Sequence, residues 1–291
     1  MGSRGDATGA DLDVLGRRIH VESSGHGTTT VVLESGLGFG RTSWDPLVPR
    51  LLDHARVVAY DRVGHGRSEP GRGPTSVAEM ADILRGVIDS TTSGPVVVVA
   101  HSMGGLIART AAPVLGPRLG GLVLLDPTPE TAAMFDDLER TTAGQDRVYA
   151  VLESLSRVAP LRPLLARMGI GGYRRVLGPE TYRTMVAEDV RPSSFAQMRR
   201  ELAARTVAVR AFRDEPPVPP ACPVVLLSAG RAARGSGDYL TDIQEHQRQY
   251  IDPLPRGHFE VIEATHFLQA DAPELVGDRI RELVREVEAG S

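Results

Sequence analysis

A run of four valines that leads directly into a serine constrains this chain more than any other segment. Residues 96–99 are all valine, the sequence Ala-His-Ser-Met-Gly-Gly follows, and residues 106–112 are typical of a helix. Consecutive β-branched residues indicate a strand buried on both faces of a parallel sheet. A serine at such a strand-to-helix turn exposes its Oγ at the carboxyl edge of the sheet, and the residues two before and two after it must be small. Here these are Ala100 and Gly104, so Ser102 is predicted to be a nucleophile.

Composition limits the classes of function. The 291 residues carry a net charge of −4, with 41% hydrophobic and 24% charged residues, which is ordinary for a soluble globular protein. No basic tract or basic–aromatic pattern indicates nucleic-acid binding. All 33 basic residues are arginine and asparagine is also absent, which a GC-rich bacterial genome would explain and which excludes lysine chemistry.

Targeting and membrane signals are not found in the sequence. Residues 1–10 are rich in Gly, Ser and Asp, lack the apolar segment of a secretory signal, and are predicted to be flexible. No stretch approaches the roughly 20 apolar residues of a membrane span. The single cysteine, Cys222, cannot form an intramolecular disulfide. We therefore predict a soluble, cytoplasmic protein with no membrane partner.

The order of strand-like and helix-like segments predicts an α/β fold with an insertion. Segments of the two kinds alternate up to residue 126 and again after 221, which favours a mostly parallel central sheet flanked by helices. We expect a helix over 44–52 in the first part. Between them, residues 127–220 contain only helix-like stretches and end in a Pro-rich linker. The sequence thus predicts a core of residues 11–126 and 221–291 with an inserted helical cap, 127–220.

Arginine is concentrated in the predicted cap. Residues 150–213 contain twelve Arg against five Asp or Glu. This bias could attract an anionic substrate or a carrier protein, or it could belong to a solvated helical face. The acidic residues between 130 and 146 partly balance the charge, and we favour the solvated face.

A serine hydroxyl needs a base within hydrogen-bond reach, and the base needs an acid that orients it. The turn around Ser102 resembles that of the α/β-hydrolase family, and two further segments strengthen the resemblance: Tyr-Asp-Arg-Val-Gly-His-Gly-Arg-Ser at 60–68 and Ala-Thr-His-Phe-Leu-Gln at 264–269. The resemblance covers about residues 13–126 and 221–288. It implies the chain order nucleophile, acid, histidine, which identifies His266 as the base.

The acid departs from the common pattern of this family. The usual position, in the loop after the next-to-last strand, falls on Ala233, which cannot serve. Asp238 is the nearest carboxylate and is more typical of an N-cap for the following helix. Asp126 lies 24 residues after Ser102, at the end of the next strand, where some α/β-hydrolase families carry the acid. We favour Asp126 over Asp238.

Two backbone N–H groups are expected to bind the oxyanion that forms during acyl transfer. By resemblance these are the N–H groups of Met103, which follows the nucleophile, and of Leu37, in the glycine-rich loop 34–40. That loop does not match a phosphate-binding pattern. Asp61 and His65 belong to a segment whose role in the family is mainly architectural. The His and carboxylate spacing matches no metal site, and no cofactor is expected.

The resemblance implies a serine hydrolase that cleaves a small-molecule carboxylic ester or lactone through an acyl-enzyme intermediate. Two other functions remain open from the sequence alone. One is a cofactor-free oxygenase or lyase in which the histidine and aspartate deprotonate a substrate that Ser102 binds. The other is a non-catalytic small-molecule receptor that has kept the pocket.

Overall fold

The computed structural model describes residues 7–232 and 237–290. They form one eight-stranded sheet in the order β1-β2-β4-β3-β5-β6-β7-β8. Only the β1–β2 and β2–β4 pairs are antiparallel. The mostly parallel sheet flanked by helices is confirmed. The strands are β1 Thr8–Val14, β2 Arg17–Ser24, β3 Thr30–Glu34, β4 Arg56–Tyr60, β5 Val96–His101, β6 Leu119–Leu125, β7 Val224–Ala229 and β8 Gly257–Ile262.

Ten α-helices lie within the described residues, and five of them follow β6 before the chain returns to the sheet at β7. They are α1 Val77–Thr91, α2 Gly104–Leu115, α3 Leu138–Ser156, α4 Arg162–Gly169, α5 Tyr173–Val176, α6 Pro179–Asp189, α7 Pro192–Asp214, α8 Gly237–Ile251, α9 Leu268–Asp271 and α10 Pro273–Gly290. No helix within 7–232 or 237–290 combines the length and the apolar character needed to cross a bilayer.

The valine run is explained by cores on both faces of the sheet. Because successive side chains of a strand point to opposite faces, Val96 and Val98 pack in the core under α1 and α2, while Val97 and Val99 pack in the core under α10. All four side chains are buried. A central strand covered on both faces therefore needs a continuous apolar run rather than an alternating one.

The helices between β6 and β7 supply most of a third apolar cluster. Residues 127–220 are all described, and none of them is in a strand. Leu165, Tyr173, Met185 and Phe195 belong to an apolar cluster separate from the two cores of the sheet. The longest helices of this segment, α3 and α7, pack against each other.

Two expectations from the sequence are corrected. The helix expected over 44–52 is replaced by two short 3₁₀ turns, Arg41–Trp44 and Val48–Arg50. Pro46 and Pro49 cannot donate the backbone hydrogen bonds that an α-helix requires. Within the N-terminus expected to be flexible, residues 1–6 lie outside the described residues, but residues 8–10 are paired with β2 in the sheet.

Candidate active site

Ser102 occupies the sharp turn between β5 and α2. Its φ is +53°, which is uncommon for a residue with a side chain. The Ser102 N–H donates to the Leu125 carbonyl (3.0 Å), and the Ser102 carbonyl accepts from Gly105 N–H (3.0 Å). A Cβ on Gly104 would lie 2.7 Å from the carbonyl oxygen of Glu34. The close approach of helix and sheet thus explains why this position must be small.

The structure brings Ser102, His266 and Asp126 into one hydrogen-bonded chain. Nε2 of His266 lies 3.0 Å from Ser102 Oγ, and Nδ1 of His266 lies 2.6 Å from Asp126 Oδ2. These distances are consistent with an imidazole that donates from Nδ1 to the carboxylate and presents Nε2 as an acceptor to the serine hydroxyl. The side chain of His266 is about half exposed (47%), so a small molecule can approach it.

Asp126 is held rigidly at the end of β6. It has a φ of +41°, and among the described residues only Leu15, Ser102 and Asp126 combine a side chain with positive φ. Its Oδ1 accepts from Ala229 N–H (3.2 Å) and from Gln247 Nε2 (3.0 Å). Burial opposes ionisation of this carboxyl, but the hydrogen bond and charge of His266, together with those two donors, lower its pKa.

His101 holds the loop that carries His266. Its Nε2 lies 2.8 Å from the carbonyl oxygen of His266. Burial, reinforced by the nearby His266, lowers the pKa of His101 to about 3. The ring is therefore neutral near pH 7 and donates its Nε2 hydrogen to that carbonyl. At the other side of the loop, Asp271 accepts from the N–H and the hydroxyl of Thr265 (2.9 and 2.6 Å).

The loop that follows β3 passes directly beside the serine. A Cβ on Gly36 would lie 2.7 Å from His101 Nδ1 and 3.4 Å from Ser102 Cβ. The next residue in this loop is Leu37, and Met103 follows Ser102 in the turn. Among the hydrogen bonds formed by the described residues, the N–H groups of Leu37 and Met103 have no acceptor.

A buried ion pair fixes this loop. The Arg62 guanidinium donates to the carbonyl oxygens of Ser35 (2.6 Å) and Gly36 (2.7 Å). Glu201, on α7, accepts from Arg62 Nε (2.9 Å) and from Gly38 N–H (2.9 Å). Burial disfavours the charged form of Glu201, yet Arg62 and His65 overcome this and lower its pKa. A residue of the inserted helices therefore helps to hold the loop beside Ser102.

Asp61 and His65, for which an architectural role is expected, bond to residues outside the Ser102–His266–Asp126 chain. His65 is buried with Nε2 3.0 Å from Glu201 Oε1, and Asp61 accepts from Arg41 Nη1 (2.6 Å). Asp238 lies at the start of α8, and its side chain is outside the described part of the chain, as is Ala233 altogether. No group of three His, Cys, Asp or Glu side chains among the described residues is arranged to hold a metal ion.

A cavity of about 1040 Å³ opens above the serine. Ser102, His266 and Phe267 form part of its wall on the side of the sheet, and Phe135 and Arg205 form part of it on the side of the inserted segment. Gln247 and Glu201 were not identified from the sequence, because each acts on a residue more than 120 positions away and neither belongs to a local motif.

A family model matches most of this chain. The model of the family described as "Alpha/beta hydrolase family" matches residues 31–279. A relative from Azorhizobium caulinodans, provisionally named carbamate hydrolase RutD, is 32% identical over 120 residues, which cover 41% of this chain and 43% of that protein. Lipase LipV of Mycobacterium tuberculosis is 34% identical over 110 residues, which cover 38% of this chain and 41% of that protein. The matched parts thus span less than half the length of these curated relatives.

A solved structure similar to this one is that of a thermophilic esterase from Thermogutta terrifontis. Its TM-score is 0.70 at 22% sequence identity, and the superposition covers 97% of this chain and 99% of that one. At this identity the likeness describes the fold.

Proposed function

The chain belongs to the alpha/beta hydrolase family, and we propose that it is a serine hydrolase that cleaves a carboxylic ester or lactone through an acyl-enzyme intermediate. The observation that carries the proposal is the unbroken chain from Ser102 Oγ through His266 to Asp126, with separations of 3.0 and 2.6 Å. The positive φ at both Ser102 and Asp126 supports it further, because backbone strain is retained where a side chain must point into a site.

In the acylation step, Ser102 Oγ attacks the carbonyl carbon while its proton passes to His266 Nε2. The carbonyl π electrons move to oxygen and give a tetrahedral oxyanion. When this intermediate collapses, the bond from carbon to the alkoxy oxygen breaks and the leaving oxygen takes the proton from His266. The Asp126 carboxylate stabilises the imidazolium that exists between these two proton transfers.

Deacylation repeats the same events with water. His266 Nε2 removes a proton from a water molecule that attacks the acyl carbon, and the collapse of the second intermediate returns that proton to Ser102 Oγ. The N–H groups of Leu37 and Met103 are the proposed donors to both oxyanions. Their position beside the serine and their lack of acceptors among the described residues favour this assignment.

We also propose that residues 127–220 act as a cap on a core formed by residues 11–126 and 221–291. Residues contributed by this segment, including Phe135 and Arg205, lie on the wall of the cavity above Ser102. Such a roof would exclude water from the acyl-enzyme and select substrates by shape.

The decisive experiment replaces Ser102 by alanine. Ser102→Ala should lower kcat for a 4-nitrophenyl ester by about 10⁶-fold, as in other serine hydrolases, and should abolish labelling by a fluorophosphonate. Ser154→Ala is the matched control, because this exposed serine on α3 donates only to its own helix. If Ser102→Ala kept more than a tenth of the activity, covalent catalysis at this residue would be wrong.

Labelling and ester turnover of the wild-type protein distinguish the other two functions from ester hydrolysis. Labelling of Ser102 without ester turnover would favour an oxygenase or lyase that uses the same residues. Neither labelling nor turnover would favour a receptor.

A further inference from the structure

Arg205 is the feature of the cavity that the proposed mechanism does not use. It lies on α7, is half-buried, and forms part of the same cavity wall as Ser102 and Phe135. Its Nη2 donates to Gln145 Oε1 (3.0 Å), and its guanidinium carbon lies 5.6 Å from the centre of the Phe135 ring. These contacts fix the plane of the guanidinium but supply no negative charge.

Three other arginines on the same helix have carboxylate partners, whereas Arg200 donates to Gln197 Oε1 (3.3 Å). Arg199 pairs with Asp146 and Glu153, Arg210 with Glu139, and Arg213 with Asp136. Among the ion pairs of the described residues, Arg205 takes part in none. Arg205 differs from Arg200 in position, because Arg205 forms part of the wall of the cavity above Ser102.

The hydrogen-bonding capacity of Arg205 is also incompletely used. Its Nε is buried without an acceptor, and its Nη1 has no protein partner within the described residues. Burial lowers the pKa of this guanidinium, and no carboxylate among the described residues offsets the effect. A cation withdrawn from water without a counter-ion destabilises the folded protein. Such a cost is expected where an anionic ligand completes the site.

The other charged groups on the cavity wall have charged partners of their own. Arg231 already has Asp271 Oδ2 at 3.4 Å and Glu263 Oε1 at 3.7 Å. Asp126 bonds to His266, and Asp137 lies 3.9 Å from Arg140. Arg205 is therefore a cation of this cavity that is free to meet a substrate anion.

We propose that Arg205 binds an anionic oxygen group of the substrate, so that the ester or lactone cleaved at Ser102 carries a carboxylate or another acidic oxygen group at a distance from the reacting carbonyl. This inference rests on the proposed function, because it takes Ser102 as the nucleophile. The anion would accept a charge-assisted hydrogen bond from the guanidinium, and the chain between the two groups would span the cavity.

The test compares esters of matched length with and without a terminal charge. The mono-4-nitrophenyl esters of glutaric and adipic acid carry a carboxylate, and their methyl-capped counterparts do not. The wild type should prefer the charged esters in kcat/KM by about 10- to 100-fold, the range of a hydrogen bond to a charged group. Arg205→Gln should remove this preference with little change toward the neutral esters. Arg210→Gln, on the same helix but paired outside the cavity, should retain it.

Binding gives a readout that does not depend on turnover. Titration of the Ser102→Ala protein with the same charged and neutral esters should show tighter binding of the charged ones, and addition of Arg205→Gln should abolish the difference. The comparison in the Ser102→Ala protein and the wild-type kinetics stand even if proteins that carry Arg205→Gln fail to fold.

Two results would overturn the inference while leaving the proposed function intact. The first is a wild type that hydrolyses both kinds of ester equally and depends on Ser102. The second is an Arg205→Gln variant that loses activity equally toward charged and neutral esters, which would assign Arg205 to packing alone. Ester hydrolysis that persists in Ser102→Ala would instead contradict the proposed function.

Discussion

Replacement of Glu201 by glutamine would test whether the inserted helices hold the loop beside the nucleophile. Glu201 is fully buried and accepts hydrogen bonds from Arg62 (2.9 and 3.0 Å) and from Gly38 N–H (2.9 Å). Glutamine has the same size, but it lacks the negative charge and turns one acceptor into an NH₂ group that faces the donors of Arg62. The buried Arg62 would then lose one of its two carboxylate partners.

The expected loss of stability follows from the burial of the ion pair. Removal of one member of a buried ion pair costs about 3–5 kcal/mol, because the remaining charge is left poorly compensated. Arg62 keeps its bond to Glu34 (2.7 Å), which places the expected cost near the lower end, about 3 kcal/mol. At roughly 2 °C per kcal/mol for a chain of this size, Tm should fall by about 6 °C.

The catalytic effect should exceed what instability alone produces. Arg62 and Glu201 fix the backbone on both sides of Leu37, and loss of one oxyanion donor costs about 10²–10³ in kcat. A displaced donor should cost less than a deleted one, so we expect kcat to fall by about 10- to 100-fold with a small change in KM.

The assay combines thermal unfolding with ester kinetics below the Tm of every variant. Glu139→Gln is the control, because Glu139 forms an exposed pair with Arg210 and should change the free energy of unfolding by no more than about 1 kcal/mol. A Glu201→Gln protein with the Tm and kcat of the wild type would refute the reasoning.

Two further predictions concern carboxylates. Asp126→Asn should lower kcat by about 10⁴-fold because His266 loses the acceptor that sets its tautomer, whereas Asp238→Asn should leave kcat unchanged. Ester kinetics of both variants check this prediction, and equal losses of kcat would point to a shared acid. Burial, with a contribution from Asp61, raises the pKa of Asp189 to about 7, so the folded state holds a proton that the unfolded state releases near pH 4. The free energy of unfolding should therefore fall as pH rises from about 4 to 7, by up to about 4 kcal/mol from this group, and Asp189→Asn should remove that part of the decline. Urea unfolding of both proteins at pH 5 and pH 8 measures the decline. An unchanged pH dependence in the variant would contradict the prediction.

The parts of the fold that local sequence determines were predictable. β3 and β4 lie in the part of the chain where the sequence predicts alternating strands and helices, and each is a short run rich in β-branched residues. The helix expected over 44–52 is not formed, because Pro46 and Pro49 cannot donate the backbone hydrogen bonds of an α-helix. Periodicity alone does not show whether the backbone donors of a helix are present.

The site could be predicted only where a motif carries it. Ser102 lies in a tight turn that requires small neighbouring residues, and the sequence shows these residues. His266 follows the last strand. Long-range partners are not marked by a local motif. Gln247 is one of three glutamines on α8, yet it donates to both Asp126 Oδ1 and the Pro127 carbonyl. Contacts of this kind depend on how helices pack across the sheet edge, which no local pattern encodes.

The arginine-rich segment illustrates the difference between a charge count and a charge distribution. From the sequence, its excess of arginine favoured a solvated face, and Arg199 and Arg210 do bind carboxylates of the neighbouring α3. Two carboxylates of the same segment instead point inward, where Glu188 and Glu201 each meet a buried arginine of the core. These two acids are paired with arginines of the core rather than with those of their own segment, so a charge count over the segment does not show which of its arginines lack a carboxylate. The position of each partner, rather than the net charge, determines which arginine is available to a ligand.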